Sequence, residues 1–392
     1  MRQFERAYAK IHLDRIEENM KAMQANLTPG TKMFGVVKAD GYGHGAIPVA
    51  KTIDPYVFAY AVATAEEAFQ LRRHGITKDI LILGSAPSGC YREIILQNIC
   101  PAVFQLERAE LLSGLAMELG KKARIHIAVD TGMSRIGLAP TEDSADIVKE
   151  ISTLPGIEIC GMFTHFARAD EFDKSYAEGQ IRAFREFNRF LTERRISVPI
   201  VHCSNSAGIM DLKEANMDAV RAGITIYGLY PSDEVKKDQM KIRPAMELKS
   251  FITYIKEIRA GSAVSYGGTF VAEKNMIIGT VGIGYADGYP RNASGKGHVL
   301  VCGKRVPILG RVCMDQLMID LTEVSDAVEG SEVTLLGSDG DLEISMDELV
   351  GFCGGFHYEI PCMIGKRVPR VYVRNGEVVG TQTCESCELE GF

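Results

Sequence analysis

The amino-acid sequence predicts an α/β protein in which an N-terminal (β/α)8 barrel of the TIM type, residues 1–240, is followed by a mostly β domain, residues 241–392. Between about residues 32 and 221, short apolar runs alternate with helical segments, which is typical of parallel strands covered by helices. Eight such runs favour a closed barrel over an open sheet. After about residue 240, the apolar runs are separated by turn residues instead of helices.

Each barrel strand is predicted from one apolar run. The runs are Phe34–Lys38, Val57–Val62, Ile80–Leu83, Ile99–Val103, Arg124–Val129, Ile157–Phe163, Ile200–Cys203 and Ala219–Arg221. Helices are predicted between them from capping and periodicity. Thr64 and Glu67 have the spacing of a capping box, and Gly75 is a stop signal. A later helix is predicted from apolar residues three and four apart: Ile181, Phe184, Phe187 and Leu191.

The second domain is predicted from β-type runs and hairpin turns. The runs are Leu248–Ile258, Met276–Ile283, His298–Cys302, Glu332–Leu336 and Arg370–Val373. Gly303–Lys304 and Asn375–Gly376 are dipeptides typical of hairpin turns. An early run, Tyr8–Leu13, precedes the first helix, and residues 1–13 are expected to pair with this domain.

Composition excludes several function classes. Hydrophobic residues make up 46% and charged residues 24% of the 392 positions, as in ordinary globular proteins. The net charge of −7 gives no electrostatic basis for binding nucleic acid or a membrane surface. The charged N-terminus, without an apolar core, predicts a cytoplasmic protein. The ten cysteines are expected to be reduced thiols, the Cys384–Cys387 CxxC is interpreted as incidental, and no metal site is predicted.

A lysine followed by glycines is the first candidate functional feature. The strand Phe34–Lys38 ends at Lys38, and Gly41, Gly43 and Gly45 follow closely. Lysine forms Schiff bases with aldehydes, best when it is partly desolvated. The alternative is a surface lysine before an ordinary glycine-rich turn.

Other reactive side chains follow other predicted strands. Active sites of this fold lie at the carboxyl ends of the strands. The candidates there are Lys38, Asp130, Arg135, His165, His202, Asn205, Ser206 and Arg221. Taken singly, His202 could be a core histidine and Ser206 a routine N-cap.

Ser206 also begins a helix where such barrels bind phosphate, and the amides of Gly223 and Ile224 could complete the site. A reactive lysine and a phosphate site in one cavity are the requirements of pyridoxal 5′-phosphate.

Eight sequence motifs carry a resemblance to a known family. They are VVKADGYGHG at 36–45, DTGMSRIG at 130–137, THFA at 164–167, HCSNSAG at 202–208, RAGITIYG at 221–228, VSYGG at 264–268, GYADGYPR at 284–291 and GRVCMDQ at 310–316. In this order the chain resembles, over nearly its whole length, the alanine racemases, pyridoxal-phosphate enzymes of fold type III. The resemblance implies interconversion of L-alanine and D-alanine, with D-alanine supplied for peptidoglycan.

The resemblance also implies roles for individual residues. Lys38 would hold the cofactor and act as one base, and Tyr266 would be the second base, reaching the active site of the opposite subunit in a homodimer. His165 would support Tyr266, while Arg221 would face the pyridine nitrogen with His202 orienting it. The phosphate ligands would be Tyr42, Asn205, Ser206, Gly223, Ile224 and Tyr358. Arg135 and the Met314 backbone amide would bind the substrate carboxylate, although Met314 alone would be interpreted as β-domain core.

One position departs from the family pattern. Many members have a lysine, often carbamylated, two residues before Asp130, where this sequence has Ala128. We therefore predict that a bound anion or a polar neighbour near Ala128 supports Arg135.

Three alternative functions are weighed against this assignment. The first is a serine or broad-specificity amino-acid racemase, and Tyr358 disfavours a serine preference. The second is a decarboxylase of basic amino acids, which would typically have a glutamate where Arg221 stands. The third is a non-catalytic cofactor-binding protein, which would usually lack the β domain that contains Tyr266.

Overall fold

The computed structural model describes residues 6–383 and the backbone of residues 387–389. Cys384 and the side chain of Cys387 lie outside the described residues. The described residues divide into two compact units. We call Ile16–Gly41 with Val49–Arg243 the barrel unit, and the described parts of Met1–Arg15, Tyr42–Pro48 and Pro244–Phe392 the β unit.

The barrel unit is built on eight parallel strands. After β1 (Ala7–His12), which belongs to the β unit, the barrel strands are β2 (Lys32–Val36), β3 (Ala59–Val62), β4 (Ile80–Ile82), β5 (Cys100–Val103), β6 (Ala123–Ala128), β7 (Ile157–Phe163), β8 (Val201–His202) and β9 (Ala219–Ala222). Each pairs in parallel with the next, and β9 pairs with β2, which closes the barrel. The predicted fold class is confirmed. One detail is wrong: β2 ends at Val36, so Lys38 lies two residues beyond the strand.

Helices alternate with these strands. Their bounds are Leu13–Asn26, Ala46–Ile53, Ala65–Arg73, Tyr91–Leu96, Leu106–Glu118, Glu142–Thr153, Ser175–Glu193 and Ser206–Asp211, with Met346–Cys353 and Glu359–Met363 later in the chain. The capping box of Thr64 and Glu67 is present, and Ser175–Glu193 buries the four apolar residues of its predicted face. Among the described residues, no helix combines the length and apolarity that a membrane span requires.

The β unit is built on one large sheet and a small hairpin. Its remaining strands are β10 (Met246–Ile258), β11 (Ala263–Val264), β12 (Phe270–Val271), β13 (Met276–Val281), β14 (His298–Val301), β15 (Lys304–Leu309), β16 (Leu317–Asp320), β17 (Glu332–Asp339), β18 (Leu342–Ile344), β19 (Arg370–Arg374), β20 (Glu377–Gln382) and β21 (Cys387–Leu389). Strands β10, β13, β16, β15, β14 and β17 pair in a closed circuit, because β17 pairs back with β10. Strand β1 pairs with β10 and β19.

Candidate active site

A cavity of about 280 Å³ lies at the carboxyl end of the barrel strands. Most of its lining residues lie at or close to the end of a barrel strand, and Met133, Arg135 and Ile136 belong to the loop after β6. The lining residues are Lys38, Ala63, Leu83, Gly84, Ser85, Val129, Met133, Arg135, Ile136, Phe163, His165 and Arg221. Four of the predicted site residues, Lys38, Arg135, His165 and Arg221, are therefore brought together. Three of them, Lys38, Arg135 and Arg221, have basic side chains, so the cavity suits an anionic occupant.

Lys38 is presented by a left-handed turn. Ala39, Asp40, Gly41 and Tyr42 all have positive φ, between 50° and 62°. L-residues other than glycine adopt this conformation at a cost of about 1–2 kcal/mol each. Such strain persists where surrounding structure enforces it, and it is concentrated at functional sites.

The carboxylate of Glu67 stabilises this turn. One oxygen accepts from the Ala39 amide at 2.7 Å, and the other accepts from the amides of Ala63, at 2.7 Å, and Thr64, at 3.3 Å. The sequence indicated Glu67 only as a helix cap. Its contact with Ala39 could not be predicted, because it requires the left-handed turn.

Arg221 is buried, with only 3% of its surface exposed, and its guanidinium donates in several directions. Nη1 donates to His202 Nδ1 at 3.0 Å, while Nη2 donates to the Thr164 carbonyl at 2.8 Å and to His165 Nδ1 at 3.1 Å. None of the described residues accepts from Nε. Burial and the nearby charge of Arg135 lower the pKa of Arg221 to about 10, which leaves it charged at neutral pH.

His165 and His202 are neutral acceptors of these bonds. Burial first, and then the charge of Arg221, holds the pKa of each imidazole well below its usual range. A neutral imidazole has one nitrogen free to accept, which is what an arginine donor requires.

Four of the six residues predicted to bind phosphate, Asn205, Ser206, Gly223 and Ile224, lie just after β8 and β9. Asn205 Oδ1 accepts from the Gly208 amide at 3.0 Å and so caps the helix Ser206–Asp211. Ser206 Oγ lies 2.9 Å from Thr225 Oγ1 and accepts from the Gly223 amide at 3.0 Å. The hydroxyl of Ser206 therefore joins the loops after β8 and β9, and the Gly223 amide is already engaged by it.

Arg135 lies in a loop organised by Asp130. The Asp130 carboxylate accepts from the amides of Gly132, Ser134 and Arg135 at 2.9 to 3.1 Å. Burial opposes ionisation of the Asp130 carboxyl, but the hydrogen bonds from these amides outweigh burial and lower its pKa. The Arg135 guanidinium makes no hydrogen bond or ion pair with any described residue. Among the described residues, no polar neighbour near Ala128 therefore bonds to Arg135 as we expected. Support of Arg135 by a bound anion stays a prediction.

Four predicted site residues belong to the β unit and are described within it. The rings of Tyr42 and Tyr358 lie 6.5 Å apart, and Tyr42 is buried. Tyr266 follows Ser265, which has a φ of 66°, and is 68% exposed. Met314 is likewise exposed and follows Cys313, whose thiol lies 3.4 Å from Ser265 Oγ.

Comparison with known proteins gives the same family by sequence and by structure. The chain matches the family models described as alanine racemase, N-terminal domain, over residues 11–231, and alanine racemase, C-terminal domain, over residues 245–372. It is 46% identical to an alanine racemase of Clostridium perfringens over 95% of this chain and 96% of that protein.

Solved structures agree with this result. An alanine racemase of Clostridium difficile matches with a TM-score of 0.93 and 40% identity, over 96% of this chain and 98% of that one. An alanine racemase of Bacillus anthracis with bound L-Ala-P matches with a TM-score of 0.92 and 36% identity, over 98% of this chain and 99% of the other.

Proposed function

The chain belongs to the alanine racemase family, a family of pyridoxal-phosphate-dependent isomerases, and on that premise we propose that it interconverts L-alanine and D-alanine. The observation that carries the proposal is the meeting of Lys38 and Arg221 in one barrel cavity. Lys38 would react with the aldehyde of the cofactor, and Arg221 would stand at its ring nitrogen, where decarboxylases of basic amino acids typically have a glutamate. This combination suits racemisation better than decarboxylation.

The residues present fit pyridoxal 5′-phosphate. Lys38 lines the cavity, as the residue that would hold the cofactor must. Arg221 has an Nε–H with no acceptor among the described residues, which suits the pyridine nitrogen. The helix that begins at Ser206, with Asn205, Gly223 and Ile224 close by, would hold the phosphate, together with Tyr42 and Tyr358.

When bound, the cofactor supplies electron withdrawal that weakens the Cα–H bond of the amino acid. Arg221 limits that withdrawal. A guanidinium can donate a hydrogen bond but cannot give up its proton, so Arg221 would leave a ring nitrogen opposite it unprotonated. His202 would orient Arg221. Weaker electron withdrawal by the cofactor ring would reduce side reactions such as transamination.

Racemisation needs one proton-handling group on each face of the substrate carbon. We propose that Lys38 Nζ serves one face and Tyr266 Oη the other, Tyr266 removing the proton from L-alanine. The exposure of Tyr266 supports its being supplied to the partner subunit of a homodimer. His165 would then act as the support of the tyrosine.

Substrate recognition is proposed to rest on Arg135 and the Met314 amide, which would bind the carboxylate. The Arg135 guanidinium lines the cavity and has no acceptor among the described residues, which supports this role. Tyr358 would narrow the space for the side chain and so favour alanine over larger residues. The product D-alanine is proposed to be made in the cytoplasm for peptidoglycan.

The test is racemisation by the purified protein, loaded with pyridoxal 5′-phosphate. L-alanine and L-serine are supplied separately, and the D-enantiomers are measured by chiral chromatography. We expect D-alanine to form much faster than D-serine. Lys38→Ala should lower turnover by about a thousandfold or more, while Lys122→Ala, an exposed lysine of the barrel unit, should leave it unchanged. Bound cofactor without D-alanine formation would contradict the proposal.

A further inference from the structure

His126 lies on β6 in the barrel interior. It contacts His202, which in turn accepts a hydrogen bond from Arg221. It is 5% exposed, and its Nδ1 lies 3.1 Å from His202 Nε2. His202 Nδ1 in turn lies 3.0 Å from Arg221 Nη1. The three side chains therefore form a chain from the cavity into the barrel, which we call the Arg221–His202–His126 chain.

The chemistry of arginine sets the direction of every bond in this chain. A guanidinium only donates, so His202 Nδ1 must accept and carries no proton. A neutral imidazole then has its proton on Nε2, and this proton can only be donated to His126 Nδ1. His126 Nδ1 must accept as well, which puts the proton of His126 on its Nε2. Both tautomers follow from the two distances and the fixed role of Arg221.

The charged groups around the chain keep both imidazoles neutral. Burial, assisted by Arg124 and Arg221 and opposed by Asp79, lowers the pKa of His126 to about 3. Burial, Arg221 and His126 act in the same direction on His202. Protonation of His202 would turn its Nδ1 into a donor aimed at the Arg221 donor, which is repulsive.

Packing fixes the planes of both rings. Phe34 stacks on His202 with 4.7 Å between centroids, and Phe163 stacks on it with 5.5 Å. Phe34 also meets His126 edge-on at 6.2 Å. A Cβ at Gly161 would lie 2.4 Å from His126 Cε1, so only glycine leaves room for this ring. The strands β6 and β7 have a register shift at this point.

We infer that His126 is a positioning residue of the proposed racemase, which fixes the tautomer and plane of His202 and thereby holds the guanidinium of Arg221. Without an acceptor at position 126, the His202 Nε2–H would be buried and unsatisfied, at a cost typical of a lost buried hydrogen bond. Turning His202 to relieve that cost would break the shorter of the two hydrogen bonds of Arg221 Nη1, which also donates to the His202 carbonyl at 3.3 Å. The inference rests on the proposed function.

The first test uses the cofactor-free protein and does not depend on activity. The eight histidines are labelled with 15N, and their tautomers are determined by NMR from pH 5.5 to 9. His126→Gln and His202→Gln assign the two signals. We expect His126 and His202 to remain neutral and protonated on Nε2 throughout. An Nδ1-protonated or a charged form of either residue in the wild-type protein would overturn the inference.

The second test compares two variants of the loaded enzyme. His126→Phe removes the acceptor, and His126→Gln supplies the amide oxygen as a new one. We expect kcat of the Phe variant to fall by about tenfold with KM for alanine nearly unchanged, and the Gln variant to recover most of the loss. His12→Gln, which removes a buried histidine of the β unit, is the control for general destabilisation. A folded Phe variant with wild-type kcat would overturn the inference.

The two tests separate this inference from the proposed function. A wild-type protein without racemase activity would contradict the proposed function. Other tautomers of His126 or His202 in the cofactor-free protein would contradict only the Arg221–His202–His126 chain.

Discussion

At the scale of single residues, the environment of Arg221 determines what the cavity can do. Its Nη atoms are engaged by carbonyl and imidazole acceptors, so the guanidinium cannot turn without breaking several hydrogen bonds at once. Under the proposed function this fixed donor would face the ring nitrogen and make a weaker electron sink than an acid would, so the proton transfers would depend on well-placed bases. This requirement makes Tyr266 the most informative residue to test.

Tyr266→Phe is expected to impair proton removal from L-alanine selectively. Phenylalanine keeps the ring and loses only the hydroxyl that would accept the proton, so abstraction from D-alanine by Lys38 should be less affected. The measurement is incorporation of solvent deuterium into each enantiomer early in the reaction. We expect exchange from L-alanine to fall by about a hundredfold or more. Unimpaired exchange from L-alanine would contradict the two-base proposal.

A mixed dimer provides the control for Tyr266. If each active site takes Lys38 from one subunit and Tyr266 from the other, then mixing inactive Lys38→Ala and Tyr266→Phe proteins regenerates one intact site per mixed dimer. Random reassociation should restore about a quarter of the wild-type activity. No recovery from dimers that demonstrably exchange subunits would indicate that both residues come from the same chain.

The sequence was sufficient to predict that Lys38, Arg135, His165 and Arg221 lie around one cavity, because each ends or follows an apolar run at the same end of a predicted barrel. It was insufficient for Glu67 and His126. Glu67 acts through a backbone amide in a left-handed turn, and His126 was one of several residues in an apolar strand. Both roles depend on contacts between residues that are distant in sequence, which a motif does not encode.

At the scale of elements, the left-handed turn after β2 is the feature that sequence patterns predict least well. Glycine is the residue that normally adopts positive φ, yet Ala39, Asp40 and Tyr42 adopt it here together with Gly41. The eight strands were predicted because buried parallel strands read as short apolar runs. The turn has no such signature, since it is stabilised by the hydrogen bond from the Ala39 amide to Glu67, a residue 28 positions away.

Ala39→Gly is expected to stabilise the protein by about 0.5–1 kcal/mol, because glycine adopts a φ of 52° without the steric cost that alanine incurs there. The Glu67 hydrogen bond is to the backbone and survives the change. The measurement is the free energy of unfolding in urea at fixed protein concentration.

The same substitution in an ordinary helix should have the opposite sign. Ala22 lies within the helix Leu13–Asn26, and Ala22→Gly is expected to destabilise the protein by about 1 kcal/mol. If both substitutions destabilise equally, the strain assigned to Ala39 is absent.

At the scale of the whole molecule, the features that the sequence could not predict depend on pairing between strands that are distant in sequence. The turn Asn375–Gly376 was predicted from its dipeptide, and both residues have positive φ between β19 and β20. The closed circuit of six strands was not predicted, because it depends on β10 pairing with β17, where Leu248 lies opposite Leu336. Local sequence patterns identify hairpins, whereas closure of the six-strand circuit depends on which strands that are distant in sequence pair with each other.

The same sheet of the β unit contains a buried ionic cluster that links global stability to pH. Glu247 on β10 is 5% exposed and lies 2.8 Å from His12 Nε2 and 3.4 Å from Lys249 Nζ. Burial would raise the pKa of the Glu247 carboxyl, but His12 and Lys249 outweigh it and lower the pKa to about 2. Lys249 Nζ also donates to Thr334 Oγ1 on β17 at 2.8 Å, so the cluster joins two strands of the closed circuit.

We expect this carboxylate to stabilise the fold most above its unfolded pKa of about 4.5, and the stabilisation to be lost as the pH falls towards about 2. Between pH 5 and pH 3, the wild-type protein should therefore lose about 2 kcal/mol of unfolding free energy that Glu247→Gln does not lose. The measurement is urea unfolding of both proteins across this range at one protein concentration. Glu18→Gln, which removes an exposed carboxylate paired with Arg243, should keep the wild-type slope. Parallel curves for the wild type and Glu247→Gln would show that the cluster does not set the acid stability of the fold.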